Sequence, residues 1–173
     1  MNKWISCYGF IEKKSHMKND RKTIFYLYLL SHGCIFLILN AIYWDGWNVV
    51  NVDKSAIFHN FHQSGLWPPI SAYLHVYLLP FGPWIYWILT FILFALITYL
   101  FDRILLSLKL FNRETRFVLV LFFTILPFNM ARIALIDFPY TVCLTLFFIA
   151  WRYKHLRYIA LPLFFMSFAT NSL

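Results

Sequence analysis

The sequence predicts an all-α fold: a polytopic transmembrane bundle of four to five spanning helices. Three observations lead there. Of 173 residues, 61% are hydrophobic and 13% charged, against about 45–50% and about 25% in an ordinary soluble domain. The apolar residues fall in long runs, and crossing the hydrocarbon core takes about 20 helical residues. The basic residues cluster between those runs, as they do at the cytoplasmic ends of spanning helices. A soluble globule of this length leaves roughly a third of its unfolded surface wet, too much for so apolar a chain. A soluble enzyme, a disordered tail and a disulfide scaffold are thereby set aside.

The elements follow in order. Residues 1–22 form a basic cytoplasmic segment with no cleavable apolar core, so the first span is expected to be retained. That span runs from about Thr23 to Trp44, with Tyr43 and Trp44 as an interfacial anchor. The second runs from about Pro83 to Phe101, where Asp102 and Arg103 are expected to stop it. The third runs from about Phe117 to Ile136, interrupted by Pro127, Asn129 and Arg132, and the fourth from about Phe138 to Trp151. A fifth begins near Tyr158 and reaches only Leu173, so 23–173 is expected to be a transmembrane domain cut short.

Charge fixes the expected orientation. With the N-terminus cytoplasmic, the inner segments carry six (Lys3, Lys13, Lys14, Lys18, Arg21, Lys22), four (Arg103, Lys109, Arg113, Arg116) and three (Arg152, Lys154, Arg157) basic residues. The outer segments carry only Lys54 and Arg132. Thirteen against two is the asymmetry of a multi-pass cell-membrane protein with its N-terminus inside. The same distribution gives no reason to expect a nucleic-acid partner, despite a net charge of +8. Cys7, Cys34 and Cys143 are scattered without metal-type spacing and are expected to be apolar fillers.

One connection is long, from Asp45 to about Gly82, and long ordered loops tend to be functional. In its first half Val49, Val52, Ala56, Ile57 and Phe61 approximate one helix face, which predicts a helix lying along the membrane interface. The Pro68-Pro69 pair then forbids a continuous helix, before the chain returns to the bilayer.

Acids and cations on the outer side are the candidates for chemistry. Asp45 follows the first span in YWDGWN, beside Gly46; Asp137 lies between spans three and four in ARIALIDFPYT. Two carboxylates at one bilayer level could serve as a general base and a divalent-metal site, although each could equally be a helix cap. Arg132 and Lys54 are suited to a lipid phosphate, Arg132 also to snorkelling toward headgroups and Lys54 to simple solvation. His59, His62 and His75 share the long loop but have no acid beside them in sequence, and the many boundary Trp and Tyr residues match an aromatic belt.

The order of these features resembles the N-terminal half of the GT-C membrane glycosyltransferases. The likeness is to polyprenyl-phosphate sugar transferases of the protein-mannosyltransferase and lipid A aminoarabinose-transferase type. It rests on Asp45 after the first span, the element Trp67-Pro68-Pro69-Ile70, Phe81-Gly82 before the second span, and Arg132 with Asp137 and Pro139. It covers roughly 23–173. Gly46 stands where many relatives carry Glu, which bears on metal binding. The resemblance implies transfer of a sugar from a polyprenyl-phosphate donor to a glycan, lipid or protein acceptor on the non-cytoplasmic face, with inversion at the anomeric carbon. Asp45 and Asp137 would be catalytic, as base or metal ligands; Arg132 and Lys54 would meet the lipid phosphate; no organic cofactor is implied. Two other classes compete: a non-catalytic membrane subunit or degenerate remnant, and a lipid-linked sugar flippase. The flippase ranks lowest, because spans one, two and four contain no charged residue.

Overall fold

A computed structural model describes residues 19–37, 42, 46–63, 70–125 and 135–168. Among them every regular element is helical. Helix α1 covers 19–32 and tightens into a 3-10 turn at Gly33–Leu37. Three short helices follow, α2 (Trp47–Val50), α3 (Lys54–Gln63) and α4 (Ile70–Leu78), the last leading into a 3-10 turn at Leu79–Phe81. The long rods are α5 (Trp84–Leu108), α6 (Arg113–Ile125), α7 (Phe138–Arg152) and α8 (Arg157–Ser167).

Packing sets their directions. Ile24 of α1 meets Leu105 near the end of α5, whereas the Phe36 ring, beyond α1, meets Phe91 near its start at 4.8 Å and a tilted angle. Therefore α1 and α5 are antiparallel. Helix α6 returns along α5, with Arg116 beside Asp102 and Thr124 beside Thr98. Helix α7 instead runs parallel to α5. Leu135 and Phe138 pack on Tyr86 and Trp87 at one end, and Phe148 packs on Ile97, Leu100 and Ile104 toward the other. Helix α8 folds back on α7, Phe164 meeting Phe147 at 6.1 Å. The consequence is a bundle with two unlike ends. One gathers Arg21, Arg103, Arg113, Arg116, Arg152 and Arg157 (the basic end); the other gathers α2, α3, α4 and the starts of α5 and α7 (the far end).

Two helical stretches, Trp84–Leu108 and Leu135–Arg152, are long and apolar enough to cross a membrane. Within the described residues α6 and α8 extend over 13 and 11 residues, about 20 Å and about 16 Å of straight helix, against roughly 30 Å of hydrocarbon. Pro162 inside α8 also removes one backbone hydrogen bond.

The second helix departs most clearly from its expected limits. Asp102 and Arg103 do not stop it; α5 runs on for another turn and a half to Leu108 and closes at Lys109, whose φ of 55° is left-handed. The reason is pairing. Asp102 Oδ1 lies 3.2 Å from Arg116 Nε, and its Oδ2 accepts from Arg21 Nε at 3.3 Å. A carboxylate flanked by two guanidinium groups can remain buried within a helix. Nearby, Arg113 makes a bidentate pair with Asp20, both bonds at 2.6 Å, and Asn112 caps α6 by accepting the Thr115 amide at 2.8 Å.

The expected loop helix is also changed. It breaks at 51–53 into α2 and α3. Its apolar face, Val49, Ile57 and Phe61, is covered by Ala72 and Val76 of α4 and by Ile136, so protein rather than lipid covers it. Trp67, Pro68 and Pro69 lie outside the described residues. Gly82 turns the chain into α5 at φ +88°, a conformation that favours glycine.

Candidate functional site

The far end is built around the short 3-10 turn Leu135–Asp137. Leu135 is fully buried in a cluster with Tyr86, Trp87 and Phe138, against which Val50, Leu74 and Leu78 also pack. Pro139 occupies the first turn of α7, where a missing N–H costs nothing. Asp137 is thereby set at the mouth of α7, half-buried, and its carboxylate makes no cap hydrogen bond to the helix.

Gly46 lies directly against this turn. A Cβ added there would sit 3.5 Å from Leu135 Cβ, an ordinary contact, and 3.0 Å from Ile42 Cγ2, tight enough that the Ile42 side chain would have to shift by a few tenths of an ångström. The residue after Asp45 therefore touches the residue two before Asp137, across 89 positions of sequence. Asp45 itself and Arg132 lie outside the described residues. Lys54 opens α3 and is exposed; one turn on, Ile57 joins the cluster that contacts Ile136. Of the four expected site residues, Asp137 and Lys54 belong to the same lobe.

A feature that spacing did not reveal adjoins them. His75 of α4 is 0% exposed and lies between Phe61 at 5.3 Å and Tyr86 at 5.7 Å. Its Nδ1 shares a hydrogen bond with Tyr86 Oη at 3.1 Å, and its Nε2 has no hydrogen-bond partner among the described residues. Burial pushes the His75 imidazole down to about 4, so it is neutral at pH 7. The Tyr86 ring in turn stands edge-on to Phe138 at 5.3 Å, the residue after Asp137. One turn along α7, the buried Thr141 hydroxyl has no hydrogen-bond partner among the described residues.

Metal-ligand geometry is not assembled among the described residues: no group of three His, Cys, Asp or Glu side chains comes together there. His59 contacts the Gln63 amide at 2.8 Å on the open face of α3. His75 is locked in the core, so the loop histidines do not form a set. No family model matches the chain, nor does any curated protein or solved structure.

Chemically, the far end offers a carboxylate at a helix mouth, a close-packed glycine and a neutral buried imidazole–phenol pair behind them. A carboxylate in that position can accept a proton from a hydroxyl or help hold a cation.

Proposed function

We propose that the chain is a multi-pass membrane glycosyltransferase, or the N-terminal portion of one, and that its far end is the non-cytoplasmic face. There a sugar would pass from a polyprenyl-phosphate donor to a glycan, lipid or protein acceptor. Asp45 and Asp137 take the acceptor hydroxyl's proton or share a divalent ion. Arg132 and Lys54 stabilise the departing lipid phosphate. The one observation that carries this reading is the packing of Gly46 on Leu135, which draws together the stretches bearing the two acids. Alternating helix directions, with the basic clusters at one end, support a cytoplasmic N-terminus under the charge asymmetry of the loops. The continuation of α5 through a paired Asp102 is compatible with that orientation, because the acid belongs to the basic end.

The test uses membranes containing the chain, a radiolabelled polyprenyl-phosphate sugar and an acceptor extract. Transfer should be present with the native sequence. Asp45→Asn and Asp137→Asn should each abolish it while leaving membrane insertion and helix content unchanged. Undiminished transfer by both variants would remove the proposed site.

A further inference from the structure

The turn between α7 and α8 carries a second, chemically distinct feature at the basic end. A cavity of about 360 Å³ opens between the two helices, within the size range of ligand pockets. Ala150 and Ala160 keep the helices close without filling the groove, while Phe147, Leu161 and Phe164 supply apolar walls. Lys154 and Arg157 line it as well, one in the turn and the other at the first residue of α8. Phe164 lies seven residues along α8 from Arg157, a rise of about 10 Å, and Phe147 lies in α7 before the turn that carries Lys154. The groove therefore has a cationic end at the turn and an aromatic end two turns deeper.

No carboxylate among the described residues lines it. Among the described residues neither Lys154 nor Arg157 is ion-paired, whereas Arg21, Arg113 and Arg116 are all matched by Asp20 or Asp102. Two unmatched cations above an apolar slot are complementary to a phosphodiester attached to a hydrocarbon chain. The guanidinium fork and the ammonium both suit phosphate oxygens, and the Phe147–Phe164 wall suits methylene groups.

We propose that this groove binds an anionic phospholipid, with its phosphate on Lys154 and Arg157 and one acyl chain running toward Phe147 and Phe164. The site depends on membrane insertion and is independent of sugar transfer. Its failure would leave the Asp45 and Asp137 experiment untouched.

The test uses the full chain in neutral detergent, titrated with phosphatidylglycerol carrying brominated acyl chains, which quench nearby tryptophan. Trp151 lines the groove. Phosphatidylcholine with the same chains is the reference. Phosphatidylglycerol should quench at about one-tenth the mole fraction that phosphatidylcholine needs, as expected for two cations at an anionic headgroup. Lys154→Gln with Arg157→Gln should erase that preference, Trp151→Phe should remove most of the quenched signal, and Arg113→Gln should change neither. All of these side chains are exposed, and unchanged circular dichroism would show that the variants fold. Equal quenching by the two lipids, or a preference surviving the double substitution, would overturn the proposal. So would full displacement by millimolar glycerol phosphate, which would indicate a site for free phosphate. Undiminished quenching in Trp151→Phe would place the lipid elsewhere and also overturn it.

Discussion

Two corners of the basic end use cations in opposite ways. Between α1, α5 and α6, three arginines surround two aspartates, and the central acid, Asp102, is nearly buried. At the α7–α8 turn, Arg152, Lys154 and Arg157 have no carboxylate partner among the described residues; Arg152 rests instead on the Tyr153 ring at 5.4 Å. Desolvating a charge is costly unless an opposite charge and hydrogen bonds compensate it. The first corner is therefore internal scaffolding, tying three helices together. The second leaves its charge facing outward, where it adds little to folding and remains available to something outside the chain.

That contrast can be broken most forcefully at Asp102. Asp102→Asn strands the buried Arg116 guanidinium beside a neutral amide, while the 40% exposed Arg21 keeps part of its solvent, and should cost about 3 kcal/mol, read as a lowered unfolding midpoint of the purified chain in detergent. A loss below about 1 kcal/mol, the range of surface pairs, would mean that solvent already screens this corner. Acidification probes the far end and should have the next largest effect. His75 falls from 6.5 to about 4 on burial, so between those pH values the unfolded chain binds a proton that the folded chain refuses. Stability should fall as pH drops through that window, by roughly 3 kcal/mol in total. His75→Phe keeps a ring between Phe61 and Tyr86 and should flatten that part of the pH profile. The smallest effect belongs to the open corner. Lys154→Gln with Arg157→Gln should leave the unfolding midpoint in lipid-free detergent unchanged. A drop comparable to that of Asp102→Asn would show that these cations serve folding after all.

Much of the framework was legible in the residues. The apolar runs around 84–101 and 138–151 are helices, and the stripe Val49, Ile57, Phe61 is a buried face. The misjudged end of α5 is instructive. Asp102-Arg103 looks like a boundary because a charge in an apolar run is costly alone, and its partners Arg21 and Arg116 are distant in sequence or on another helix. The loop face reads as lipid-facing for a similar reason: periodicity shows that a face is apolar without showing that α4 will cover it. At the site, Asp137 was visible as an acid between two apolar runs. The approach of Gly46 to Leu135 and the sandwich of His75 between Phe61 and Tyr86 were not, because each depends on how separate helices dock. An invisible partner is the common cause.

The length of α5 has its own consequence. A single uninterrupted rod of 25 residues, about 37 Å long, carries Tyr86 beside the imidazole at one extremity and Asp102 beside the arginines at the other. With no hinge between them, the angular setting of the two is fixed by residue count alone. One residue added midway would swing either extremity by about 100° relative to the other, so that His75 and Arg116 could no longer both find their partners. The number of residues between Tyr86 and Asp102 is in this sense as constrained as their identities.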